Sequence, residues 1–198
     1  MTPDGTHVLG NEIFPKTTTD VVQFALDGAS FSRGTGAPAA SVQRPSEPLV
    51  QTTFLEVNAE ISPDGRYLAY QSTESGKDDI YVRPYPKVND GRWQVSTRGG
   101  TRPAWARNGR ELFYVDAAGT LTSVSVQTTG TTFVPGNPAK VFDTKYVMPT
   151  GARNYDVSLN GQRFLMIKAG TTDDTATPMS VVVVEHWVEE LKAKVPIK

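Results

Sequence analysis

Short segments in which apolar and polar side chains largely alternate run through this chain, and Gly, Asp, Asn, Ser or Pro bounds each of them. A period near two predicts strands, and helical periodicity is absent until the last residues. A turn element returns four times, as Thr2-Pro3-Asp4-Gly5, Ser62-Pro63-Asp64-Gly65, Ala106-Arg107-Asn108-Gly109 and Ser158-Leu159-Asn160-Gly161, with its glycines spaced by 60, 44 and 52 residues. Asp-Gly and Asn-Gly tolerate positive φ in a tight hairpin, so each repeat is expected to be built around one. Repeats of about 40–50 residues with several strands each are the sequence signature of propeller blades.

The chain parses into four units, at approximately 1–54, 55–97, 98–145 and 146–184, together forming one domain over residues 1–198. The first has strands at 7–14 and 20–26 and an outer strand at 49–54, with a long Ala-, Ser-, Gly- and Pro-rich loop from Ala29 to Glu47. The second reads as 58–61, 66–71, 79–83 and 92–96, and the third as 103–106, 111–115, 121–126 and 140–143. The fourth has strands at 155–158, 163–168 and 180–184. Residues 185–194 space Trp187, Val188 and Leu191 on one helical face, which predicts a short C-terminal amphipathic helix that caps the last blade. The fold class is all-β: a partial propeller of about four antiparallel four-stranded blades, incomplete at both ends, with that helix.

Composition removes several chemistries. Twenty basic and 21 acidic residues give a formal net charge of −1, so no global field attracts nucleic acid or an anionic membrane surface. There is no cysteine, which excludes disulfides, thiolate catalysis and Cys-based zinc sites. His7 and His186 are the only histidines and stand at opposite ends of the chain, against a His-based metal cluster or a Ser-His-Asp triad. No Gly-x-Ser-x-Gly elbow and no phosphate-binding loop ahead of a helix occur; Arg98-Gly99-Gly100-Thr101 reads as a loop between blades, with weak potential for anion contact through backbone amides. The longest apolar run, Val181 to Val184, is far too short to span a bilayer, so no membrane insertion is expected. Asp78-Asp79 and Asp173-Asp174 lack the alternating spacing of a calcium loop and read as solvated loops.

Ile61-Ser62-Pro63-Asp64-Gly65-Arg66-Tyr67-Leu68-Ala69-Tyr70-Gln71-Ser72, Asp79-Ile80-Tyr81-Val82-Arg83-Pro84-Tyr85-Pro86 and Trp93-Gln94-Val95-Ser96 resemble the WD-repeat-like, TolB-like propeller repeats of bacterial proteins. They are more similar still to the propeller regions that follow bacterial eukaryotic-type Ser/Thr kinase domains. Gly99-Gly100-Thr101, Pro103-Ala104-Trp105, Tyr155-Asp156-Val157-Ser158 and Gly161-Gln162-Arg163-Phe164-Leu165 continue the likeness over nearly the whole chain. The resemblance implies a binding or sensor module with a protein or peptide partner, and a periplasmic or extracellular location. In that family such segments end a longer propeller, whereas this chain reads as starting inside its first hairpin. Self-association into a homodimer that completes the ring is therefore expected.

In a propeller the loops entering the innermost strands line one channel mouth, here 55–60, 98–102 and 150–154. Glu56, Asn58 and Glu60 are expected to meet Arg102, Arg153 and Asn154 there as a ligand-binding site. The alternative is a hydrolase acting on a phosphoester, ester or lactone, in which Glu56, Asn58 and Glu60 hold a divalent cation, calcium being the natural choice for such oxygens. No other cofactor is implied.

Overall fold

The computed structural model describes residues 1–26, 45–129, 132–143 and 151–167. The chain divides into two units, Met1–Lys168 and Ala169–Lys198, and every described strand belongs to the first. Most of the predicted loop after Ala29, the strand at 180–184, the helix at 185–194, His186 and Asp173-Asp174 lie outside the described residues.

Among the described residues, thirteen strands form four antiparallel sheets. The first sheet is β1 (His7–Ile13), β2 (Thr19–Ala25) and β3 (Glu47–Val50), in that order. The second is a four-stranded meander of β4 (Glu56–Ile61), β5 (Tyr67–Ser72), β6 (Asp79–Pro84) and β7 (Trp93–Gln94). The third repeats it with β8 (Thr101–Trp105), β9 (Glu111–Val115), β10 (Thr120–Thr129) and β11 (Thr132–Asp143). The fourth pairs β12 (Tyr155–Val157) with β13 (Phe164–Met166). No helix occurs among the described residues.

The sheets are stacked face to face, and the strand period decides which side chain enters which layer. On β5, Leu68 and Tyr70 enter a layer with Val21, Leu49 and Val50 of the first sheet, while Tyr67 and Ala69 enter one with Trp105, Leu112 and Tyr114 of the third. On β9, Leu112 and Tyr114 face the second sheet, and Phe113 and Val115 face Tyr155 and Val157 of the fourth. The middle sheets are thus apolar on both faces, which explains why Tyr67-Leu68-Ala69-Tyr70 is wholly buried and reads as a continuous apolar run. Phe133, from β11, sits among Tyr67, Trp93 and Trp105 with ring centroids 5.3, 5.4 and 6.3 Å away.

Each repeated turn closes in one way. Gly65 N–H donates to Ser62 O at 2.8 Å, and only the glycine takes a left-handed φ, +73°. Asp64 keeps an ordinary φ and works through its carboxylate, which accepts from the Ser62 hydroxyl (2.6 Å), Arg66 N–H (3.2 Å) and Arg66 Nε (2.7 Å). Burial acts to raise the Asp64 carboxyl, but these donors outweigh it and hold the group below the ordinary carboxylate range. The Ser62 hydroxyl also accepts from the buried Tyr67 N–H at 3.0 Å. Thr2 and Ser158 play the same part, accepting from His7 N–H and Arg163 N–H.

A buried carboxylate fastens the second sheet to the third. Asp79, fully buried, accepts from the Ser75 hydroxyl (2.7 Å), Gln94 Nε2 (3.3 Å), the Ser96 hydroxyl (2.7 Å) and Gly99 N–H (3.0 Å). The loop Arg98-Gly99-Gly100-Thr101 thus meets the protein's own anion, Asp79, through the Gly99 N–H. Gly100 is required beside it, because a Cβ there would stand 2.6 Å from Ser96 Oγ and 2.8 Å from Ile80 Cγ1.

Several strands differ from expectation. β3 ends at Val50 because Gln51 and Thr52 turn to bond buried carboxylates. β11 is eight residues longer at its start than the predicted 140–143: Pro135, Gly136 and Pro138 read as a loop, yet they are tolerated on an outermost strand joined to β10 through two bulges.

Asp79→Ala is expected to cost about 3 kcal/mol or more, since four donors lose their acceptor, whereas Ser62→Ala should cost about 1–2 kcal/mol. Urea unfolding of the two variants checks the order; a smaller loss for Asp79→Ala contradicts the role given to it.

Candidate functional site

Strands β4 and β8 lie side by side, and each is bulged near its start: the pairing register jumps between Val57 and Glu60 on β4, and between Thr101 and Ala104 on β8. At these bulges Asn58 (φ 55°) and Arg102 (φ 56°) adopt left-handed backbone. For a side chain other than glycine this conformation costs about 1–2 kcal/mol, and Asn bears it more readily than Arg. Among the described residues they are the only non-glycine positions of this kind.

Gln71 of β5 holds both. Its Oε1 accepts from Asn58 Nδ2 at 3.0 Å and from Arg102 N–H at 3.2 Å, while its Nε2 donates to Asp78 Oδ1 at 2.9 Å. Asn58 Nδ2 also donates to Gly151 O (2.8 Å), and Arg102 Nε to Ala152 O (3.2 Å), which ties both bulges to the segment leading into β12. Behind Arg102, the buried Tyr155 hydroxyl donates to its carbonyl at 2.7 Å. Burial pushes the Tyr155 phenol far above its ordinary range, so it remains a donor at any physiological pH. Asn58, Gln71, Asp78 and Arg102 border a cleft of about 550 Å³ whose walls also include Leu55 and Val57.

Glu60 and Arg153 form a second group. Arg153 donates to Glu60 Oε2 at 2.6 Å and Oε1 at 3.3 Å, and to Pro103 O at 3.1 Å. Glu60 further accepts from Trp105 N–H (2.9 Å), and its own carbonyl accepts from Trp105 Nε1 (3.2 Å). Burial disfavours the Arg153 cation, but the hydrogen bond and charge of Glu60 prevail and hold it above its ordinary range. This pair adjoins another hollow, of about 620 Å³, bordered also by Leu9, Ala59 and Trp105.

The six sequence-predicted residues therefore divide. Asn58 and Arg102 meet at the cleft, Glu60 and Arg153 pair with each other, and Asn154 lies half-buried between Arg153 and Tyr155. Glu56 is fully buried, accepting from the Thr52 hydroxyl at 2.5 Å and the Ser72 hydroxyl at 3.3 Å. Gln71 and Asp78 were missed; the available signal was a glutamine ending the otherwise apolar run of β5. Among the described residues no group of three or more His, Cys, Asp or Glu side chains is placed to hold a metal ion.

Stacked four-stranded meanders with their first strands side by side define an all-β, partial β-propeller fold. Among solved structures, TolB from Acinetobacter baumannii aligns with 87% of this chain at 11% identity and a TM-score of 0.58, and a puromycin-hydrolyzing peptidase from Mycobacterium tuberculosis aligns with 84% at 18% identity and 0.53. The chain spans only 37% of the first protein and 27% of the second, and at such identities the likeness is one of fold. No protein-family model and no curated protein matches the chain.

Glu60→Ala is expected to destabilise by about 2–3 kcal/mol, because it strands a half-buried Arg153 and removes the acceptor of a buried N–H. Denaturant unfolding followed by tryptophan emission reads this through Trp105; a loss below about 0.5 kcal/mol contradicts it.

Proposed function

We propose that this chain is a non-catalytic binding module whose recognition surface is the cleft at the bulged starts of β4 and β8, and whose partner is a peptide or an extended protein segment. The observation that carries this reading is the paired left-handed Asn58 and Arg102. Strained backbone persists where its surroundings over-determine it, and such positions cluster at ligand sites. The cleft is within the size range of ligand sites, roughly 300–1,000 Å³. Arg102, Asp78 and the apolar Leu55 and Val57 all line it, a combination suited to a peptide backbone with mixed side chains.

Completion of the ring by a second copy belongs to the same proposal. β1 forms one edge of the first sheet and carries Ile13, which is 77% exposed; on β13 of the fourth sheet Leu165 is 76% exposed. Association through such strands would cover the β1 edge and exposed apolar surface. Attachment to a bacterial Ser/Thr kinase, and a periplasmic or extracellular location, follow from the family resemblance and extend the proposal. The fold likeness supports the propeller that both require. The cation-dependent hydrolase needs Glu56, Asn58 and Glu60 on one ion, and no observation favours it: Glu60 faces Arg153, while Glu56 is bonded to Thr52 and Ser72.

A fluorescence-anisotropy screen against a random peptide library tests the cleft. Binders should lose at least about tenfold in affinity, some 1.4 kcal/mol, on Arg102→Ala. Binding indifferent to Arg102→Ala, or tightly held metal with chelator-sensitive ester or phosphotriester turnover, defeats the reading. Analytical ultracentrifugation at micromolar concentration should show a dimer; a clean monomer removes the self-association part and leaves the cleft to the peptide screen.

A further inference from the structure

Asp20 is the second residue of β2 and Asp79 the first of β6, and their pairing with Glu12 and Ser72, each seven residues past the turn glycine, makes them equivalent positions in successive sheets. Both aspartates are fully buried. On Oδ2 the two match: Asp20 accepts from the Thr17 hydroxyl (2.5 Å) and Gln51 Nε2 (3.2 Å), as Asp79 accepts from the Ser75 hydroxyl (2.7 Å) and Gln94 Nε2 (3.3 Å). On Oδ1 they differ. Asp79 Oδ1 receives the Ser96 hydroxyl and Gly99 N–H, whereas Asp20 Oδ1 has no donor among the described residues.

The first junction instead brings in a second carboxyl. Glu56 is 1% exposed; its Oε1 accepts from Thr52 and Ser72, and its Oε2, like Asp20 Oδ1, has no donor among the described residues. The two acids are held by consecutive residues, Gln51 on Asp20 and Thr52 on Glu56, and β2 packs against β4. Two ionised carboxylates here would bury like charges with two unmet acceptor oxygens, a costly arrangement. One proton relieves both problems.

We propose that Asp20 and Glu56 share a proton, with Glu56 Oε2–H donating to Asp20 Oδ1, and that this acid–carboxylate hydrogen bond fastens the first sheet to the second as Ser96 and Gly99 fasten the second to the third. Burial pushes the Glu56 carboxyl up, partly offset by the Thr52 hydroxyl, and the Asp20 charge pushes it up again. From β2 the titratable group acting on it is Asp20; β5 presents Ser72 and the linker Thr52, both uncharged. A carboxyl raised on folding binds a proton that the unfolded chain releases, so its stabilisation is complete at acid pH and is lost as pH rises through the folded value. Asp4 and Asp64, both lowered, act with the opposite sign, so the effect is read as a difference between proteins.

The test is urea unfolding of wild type, Glu56→Gln and Asp20→Asn across roughly pH 4.5–8. In Glu56→Gln the amide donates to Asp20 without titrating. The unfolding constant of the wild type relative to this variant should therefore increase with pH by up to about tenfold per unit, the signature of one linked proton. Infrared spectra of the native wild type should show a carboxylic-acid band near neutral pH that Glu56→Gln lacks, which keeps the test valid if Asp20→Asn does not fold. Equal pH slopes with no such band overturn the proposal. So does a calcium-induced rise in melting temperature that Glu56→Gln abolishes, since a cation would then stand where the proton is placed. None of these measurements involves a peptide, so this proposal and the cleft fail or survive separately.

Discussion

The buried carboxylate of Asp79 is the constraint on which the arrangement around the cleft depends. A charge taken fully out of water must be given donors, and the chain supplies them from the loop before β6, from β7, and from the segment that leads into β8. Satisfying one carboxylate thus fixes where the second sheet ends and the third begins. Gly100 allows the backbone to pass Ser96 and Ile80 at that point. Two residues later the chain reaches Arg102, whose strained backbone is held from the second sheet by Gln71 and from the fourth by Tyr155.

Apolar layers supply the driving force, and polar latches supply the geometry. Burial of β5, β6 and β9 on both faces favours stacking but is non-directional. The latches at the sheet junctions, built on Asp79, on Glu60 with Arg153, and on Asp20 with Glu56, select one offset between sheets. Because the cleft lies where β4, β8 and the segment before β12 converge, its form is set by these junctions. Recognition surfaces made this way are largely pre-formed, which reduces the ordering cost of binding.

Much of the fold was legible because its signals are local. The Asp-Gly turns and the run from Tyr67 to Ser72 identify hairpins without reference to anything distant. β11 was not, because the tolerance of Pro135 and Pro138 depends on their occupying an outermost strand, a fact of sheet order. Of the residues expected at the channel mouth, Asn58 and Arg102 come together at the border of one cleft. The grouping of Glu56, Asn58 and Glu60 was less informative. In a regular strand alternate residues share a face, but the bulge between Val57 and Glu60 breaks that period. Glu56 then bonds Thr52 and Ser72 while Glu60 turns to Arg153. Gln71 was invisible as a site residue, since its role arises from contacts 13 and 31 residues away in sequence.

The central claim is that the bulged starts of the inner strands form the recognition surface. It is tested most directly by NMR titration of the isotope-labelled protein with a library-selected peptide, reading amide and side-chain shifts residue by residue. The perturbations are expected to concentrate at Asn58, Gln71, Asp78 and Arg102 and their immediate neighbours. Perturbations confined to the outer strands β7 and β11, with the cleft residues unmoved, would contradict it.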